Sequence, residues 1–180
     1  SPTGTVFGTG AHFPAKYQHA LFACDWTYGT MYAIHLIPDG ASFRATKEEF
    51  VSGKPLPLTD VVINPKDGAL YFAIGGRRTQ SALYRVTYTG HESTSPAPIA
   101  PPTAEAKIRR SLEALHGDGV GPEAIDTAWP HLSSGDRFIR FAARVAIEKQ
   151  PANRWAERAL TEKNPQAAIE ALMALARVGD

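Results

Sequence analysis

Residues 20–38, ALFACDWTYGTMYAIHLIP, decide the first half of this chain. Two short apolar runs rich in aromatics, 20–26 and 30–38, flank Gly29, and that pattern reads as a β-hairpin. Pro38-Asp39-Gly40 closes it with turn chemistry: proline presets φ at one turn position and glycine supplies a positive φ at another. A more polar strand follows over 42–51. With Lys47, Glu48 and Glu49 as solvated charges it reads as an outer or edge strand.

The pattern then starts again. Residues 58–64 (LTDVVIN) form a strand and Pro65-Lys66-Asp67-Gly68 a turn; 69–74 (ALYFAI) and 81–88 (SALYRVTY) form two further strands around a loop at 75–80. Ala20-Leu21-Phe22 aligns on Ala69-Leu70-Tyr71 at an offset of 49 residues, and Met31-Tyr32-Ala33-Ile34 aligns on Leu83-Tyr84-Arg85-Val86 at 52. A repeat near 50 residues built from short strands is the signature of a β-propeller blade. Residues 1–90 are therefore expected to be about two antiparallel blades of a partial propeller. A small self-contained β-sandwich is the other architecture these strands allow. Two blades cannot close a ring, so the chain is expected to be a piece of a longer protein.

Residues 91–102 (HESTSPAPIAPP) hold four prolines and lack apolar periodicity, so they read as an extended linker or a strap along a surface. Helices are expected over 103–180. Thr103 is a good N-cap for a helix over 104–116, whose Ile108, Leu112 and Leu115 have helical spacing. Further helices are expected over 122–132, cut short by Pro130, and over 136–149, 152–162 and 165–178, the last capped by Asn164. The two longest align at an offset of 29 residues, and Ile108 aligns on Ile139 at 31. Units of about 30 residues suggest a HEAT-like solenoid, with an ordinary helical bundle as the alternative.

With 180 residues, 43% hydrophobic and 21% charged, the chain can bury a core. A net charge of +1 creates no field for nucleic acid or an anionic membrane. No run of 18 apolar residues is present, so no membrane span is expected. The single cysteine, Cys24, excludes an internal disulfide, a thiolate zinc cluster and a CxxCH haem attachment within the chain.

The stretches 13–40 (FPAKYQHALFACDWTYGTMYAIHLIPDG), 56–76 (LPLTDVVINPKDGALYFAIGG) and 81–90 (SALYRVTYTG) resemble the last blades of glucose/sorbosone dehydrogenase-like propellers. The resemblance is strongest to large multi-domain versions from planctomycetes and verrucomicrobia, which join such a propeller to HEAT-like repeats and often to a c-type haem domain. It implies a periplasmic or extracellular setting, with neighbouring domains of the same polypeptide as partners. For the parent it implies pyrroloquinoline quinone, calcium or c-type haem as cofactors. In the quinone-dependent members, arginines before an Asp-Val strand contact the cofactor. The matching residues here, 56–61, contain no arginine, and the position expected for a cofactor-stacking tryptophan falls at about Tyr17. The family's catalytic histidine lies in earlier blades, outside this chain. No cofactor is therefore expected in this chain, and no catalytic residue is assigned to it.

Two loops are candidates for ligand binding. Asp25, Trp26 and Tyr28 set an acid beside aromatics, a combination that suits a sugar: the ring stacks on its apolar face and the carboxylate accepts from its hydroxyls. A tight turn with Trp26 packed on the next blade accounts for the same residues. Arg77 and Arg78 after Gly75-Gly76 could present guanidinium groups to a carboxylate, phosphate or haem propionate, or form a solvated hairpin loop. Asp60 reads as bonded to backbone rather than as a base. His35 is expected to face solvent or a neighbouring blade, and Trp129 and Trp155 to lie in a core. No Ser/His/Asp set, phosphate loop or metal-ligand spacing stands out.

Three functions follow as expectations. The chain is a structural or interaction segment that completes a propeller and links it to a helical scaffold. Alternatively, it is part of a quinoprotein-type sugar or alcohol dehydrogenase that passes electrons to a haem domain, or a carbohydrate-binding module.

Overall fold

The computed structural model describes residues 2–76, 78–117 and 120–179. Contacts divide the chain into two units, 1–37 with 44–100, and 38–43 with 101–180. Both β-sheets and α-helices are present; apart from one short helix at Ala15–Gln18 the helices follow the strands along the chain.

In the first unit, strands β1 (Pro2–Phe7), β2 (Ala20–Asp25), β3 (Thr30–Asp39) and β4 (Ser42–Ser52) form one sheet in sequence order. Strands β5 (Leu58–Ile63), β6 (Leu70–Gly76) and β7 (Thr79–Val86) form a second, also in order. The expected strands are thus present to within about two residues, and β4 is an edge. β1 and a four-residue helix, α1 (Ala15–Gln18), were not anticipated.

The internal repeat is real, but its register shifts by one residue. β2 buries Ala20, Phe22 and Cys24, and β6 buries Leu70, Phe72 and Ile74. These triplets match at an offset of 50. The sequence alignment at 49 set buried Phe22 on half-buried Tyr71. Likewise Phe22 pairs with Ala33 and Phe72 with Tyr84, so β3 and β7 match at 51 rather than 52. Side chains alternate with period two, so a one-residue slip sends every side chain to the opposite face, and burial selects the register. β1 and β5 are equivalent, with Val6 opposite Phe22 and Val61 opposite Phe72. They also meet directly, where Thr3 Oγ1 donates to Leu58 O at 2.7 Å. The second sheet has no counterpart of β4 among the described residues.

An aromatic cluster fills one end of this core. Phe50 lies 4.8 Å from Phe22, 5.2 Å from Tyr17 and 5.9 Å from Phe13, all edge-on, the geometry that ring quadrupoles favour. The proline-rich segment behaves as a strap. Gln18, 6% exposed, donates from Nε2 to Phe13 O (2.8 Å) and Ser95 O (2.9 Å), and accepts at Oε1 from Ala97 N (2.9 Å). One buried amide therefore holds 95–97 through backbone groups, whatever the side chains there.

The second unit contains α2 (Ala104–Glu113), α3 (Glu123–Ala128), α4 (Arg137–Glu148), α5 (Ala156–Thr161) and α6 (Pro165–Val178). The helix expected over 122–132 tightens into a 3-10 turn at Trp129–Ser133, where Pro130 lacks the N–H an α-helix would use. The helix expected over 152–162 is broken at Trp155 (φ −136°), whose buried ring donates from Nε1 to Gln150 O at 3.1 Å. α4 is central and packs on α2, α3 and α6. Its buried face is built of Ile139, Ala142, Ala143, Ala146 and Ile147, and α6 meets it with Ala167, Ala171 and Ala174. Trp129 and Trp155 are both in this core, as expected. No helix among the described residues is long and apolar enough to cross a membrane.

Residues 38–43 belong to this unit because two helix N-caps grip them. Thr103 Oγ1 accepts from Ala106 N (3.0 Å) and donates to Gly40 O (2.8 Å). Asp136 caps α4 through Oδ1, accepting from Phe138 N at 2.8 Å, while its Oδ2 accepts from Ala41 N at 2.6 Å. Burial pushes the Asp136 carboxyl up, but the three backbone donors Ala41, Phe138 and Ile139 outweigh it and hold the pKa below the ordinary value. Gly40 has φ +55°, and a Cβ there would run into the Asp136 carboxylate. Ala41 is fully buried in the helical core.

Candidate functional site

The strongest candidate is the end of the first unit where the β2–β3 turn meets the β6–β7 loop. Asp25 ends β2, and its Oδ1 accepts from Thr27 N (2.9 Å) and Tyr28 N (3.0 Å), an Asx-type turn. Gly29 completes it with φ +67°. A Cβ there would sit about 2.5 Å from Gly53 O, and Gly53 N donates to Gly29 O at 3.0 Å. The turn is thereby pinned to the segment that follows β4.

Trp26 joins the two candidate loops. Its Nε1 donates to Gly75 O at 2.9 Å, and its ring lies where a Cβ on Gly76 (φ +93°) would come within 3.1 Å of Cζ2. Gly76, lacking a Cβ, thus leaves room for the indole to lie against the backbone. Arg78 is exposed and takes φ +58°, a left-handed conformation uncommon for a residue with a Cβ. Arg77 lies outside the described residues.

Tyr28 projects from the same turn and is 70% exposed. Beside it runs a groove of about 560 Å³ lined by Trp26, Tyr28, Lys54, Leu56 and Pro57, with the Lys54–Pro55 peptide cis. A second depression shares Tyr28 and Lys54 with it and is lined further by Tyr32, Glu49 and Ser52. Lys47 Nζ stands 4.3 Å over the Tyr32 ring. The two depressions together offer aromatic and proline surfaces, the ammonium groups of Lys54 and Lys47, one carboxylate and hydroxyls. This chemistry can hold a ligand with both apolar and hydroxylated faces. Tyr32, Ser52 and Lys54 were not picked out as site residues, and Glu49 was read only as a solvated charge, because they come from β3, β4 and the segment after β4 and leave no local motif. The Asp25 carboxylate, by contrast, is engaged with its own turn.

The other residues singled out lie elsewhere. Tyr17 is half-buried and stacks on Phe22 (6.4 Å) within the aromatic cluster. Asp60 Oδ1 accepts from Val61 N at 2.8 Å. His35 does not simply face solvent. Its Nε2 lies 3.0 Å from Glu48 Oε1, which also accepts from Lys16 Nζ at 3.2 Å. Glu48 is thus a paired group rather than a purely solvated charge. The His35 bond, followed by that from Lys16, draws its carboxyl below the ordinary value. Cys24 is buried in the core, and burial raises its thiol to about 11, which removes it from nucleophilic chemistry near neutral pH. Among the described residues no cluster of three or more His, Cys, Asp or Glu is arranged to hold a metal ion.

No protein-family model matches this chain, and neither a curated protein nor a solved structure proves detectably similar to it.

Proposed function

We propose that this chain is a structural and interaction segment, in which blade-like sheets form part of a larger β wall and the helical unit serves as a scaffold. The observation that carries this reading is the difference between the two sheets. The first bears β4 outside β3, whereas at the equivalent place in the second, β7 is an edge, with Leu83 71% and Tyr84 42% exposed. Such an edge is a template for a further strand. The resemblance to sugar-dehydrogenase-like propellers supports the same reading, with neighbouring domains of one polypeptide as partners. The test is hydrogen exchange and limited proteolysis of the chain alone. β5–β7 should exchange within the fast range of the molecule and be cut early. A rigid, monomeric first unit with β7 as protected as β2 would sink the proposal.

The Tyr28 groove favours a second reading, carbohydrate binding without chemistry. Titration with oligosaccharides should change tryptophan fluorescence through Trp26, and Tyr28→Ala should abolish the change while leaving thermal unfolding unaltered. A response that persists in Tyr28→Ala would place any binding elsewhere.

A further inference from the structure

The helical unit carries a second surface, independent of what the β unit does. α6 is apolar on two faces, and only one of them is covered. Ala167, Ala171 and Ala174 are buried, yet Ile169, Leu172 and Met173 remain 57%, 44% and 43% exposed. With Ala176 they follow the i, i+3, i+4, i+7 spacing of a helix seam. A helix with such a pattern is ordinarily covered on both faces, and contiguous exposed apolar surface marks an interaction site.

α4 extends this surface. Phe141 is 56% exposed, and the Arg144 guanidinium lies 5.2 Å from its ring. Arg144 Nη1 also reaches Met173 Sδ at 2.6 Å, so one arginine joins the two apolar ridges. Between the ridges runs an ionic row. Glu170 binds Arg140 (3.3 Å) and Arg144 (3.1 Å), and Glu148 binds Arg144 (3.3 Å) and Arg177 (3.1 Å). Three guanidinium groups thus face two carboxylates, and each carboxylate is already held by two of them. The Arg177 side chain is 61% exposed, and Arg137 is exposed at the start of α4.

We propose that the α4–α6 face docks an amphipathic helix whose flanks carry carboxylates. Apolar knobs of that helix cover Ile169, Leu172, Met173 and Phe141, and its acidic flanks meet Arg137 and Arg177, where the charge is in excess. Charge complementarity selects this occupant over a second copy of the chain, which would bring Arg137 and Arg177 against like charges. Deep insertion into a bilayer is disfavoured because the exposed guanidinium groups of Arg137 and Arg177 would have to leave water.

The test uses the whole chain and two labelled probe helices. Both have leucines at i, i+3, i+4, i+7; one has glutamate flanks and the other lysine flanks. Fluorescence anisotropy should show the glutamate probe binding one-to-one and about tenfold more tightly, a difference of about 1.4 kcal/mol. Ile169→Ser with Leu172→Ser should remove binding, with the circular-dichroism spectrum unchanged because both side chains are exposed. Arg177→Glu should reverse the preference between probes. Equal affinity for the two probes, no binding of either, or tighter association with anionic phosphatidylglycerol vesicles overturns the proposal. So does concentration-dependent dimerisation that the double serine variant abolishes.

Discussion

The two units bury themselves by opposite means. The β unit fills its core with large rings: Phe13, Phe22 and Phe72 are at most 3% exposed, with Tyr17 and Phe50 packed around them. The helical unit brings α4 and α6 together on alanines, with Ala143, Ala146, Ala171 and Ala174 all fully buried. Sheets face one another across roughly 10 Å, so side chains must reach into the gap. Helices can approach until their backbones nearly touch, if the residues between them are small. The same hydrophobic effect therefore makes one core intolerant of lost volume and the other intolerant of added volume.

Phe22→Ala should show the largest effect, about 3–5 kcal/mol of unfolding free energy, because a rigid aromatic cluster cannot collapse around the void. Urea denaturation followed by near-ultraviolet circular dichroism measures it. Ala143→Leu should cost about 1–3 kcal/mol by overpacking α4. If that substitution stabilises the chain instead, the contrast between the cores is wrong.

Asp136→Ala comes next, at about 1–2 kcal/mol, since it removes a helix cap and a donor's partner at Ala41 together. The pH dependence sharpens this. The native Asp136 pKa is depressed, so its contribution is fully present above the unfolded carboxyl value near 3.9 and is lost as pH falls through the lower native value. Asp136→Asn should flatten that acid limb in urea midpoints measured between about pH 2 and 5. A limb unchanged by the substitution would assign it to other carboxylates. The smallest effect belongs to Glu48→Gln, at most about 1 kcal/mol and shrinking with salt, because the Lys16–Glu48–His35 cluster is partly open to water. A loss well above that would mean this cluster helps hold β4 in place.

Legibility followed the length scale of the forces. β2, β3 and β6 announce themselves because apolar and aromatic residues run unbroken over four or more positions between turn signals. α6 is read to the residue because Asn164, Pro165 and a long apolar pattern agree. β1 is invisible in Pro2-Thr3-Gly4-Thr5: it is a strand only because β2 supplies its ladder and Leu58 O receives the Thr3 hydroxyl. Of the candidate site, Asp25, Trp26 and Tyr28 were named from the sequence as an acid beside aromatics, Glu49 only as a solvated charge, and Ser52 and Lys54 not at all.

What the chain determines by itself is local: two runs of strands repeating near 50 residues, a proline-rich strap, and helices with recognisable caps. Tertiary structure alone decided the rest. It moved the repeat register by one residue, since only burial distinguishes the two faces of a strand. It joined Trp26 Nε1 to Gly75 O, 49 residues away. It also set the Asp136 carboxylate on Ala41 N across 95 residues. Hydrogen-bond donors and flat backbone surfaces leave no periodicity in a sequence; they acquire meaning only when folding brings a partner within 3 Å.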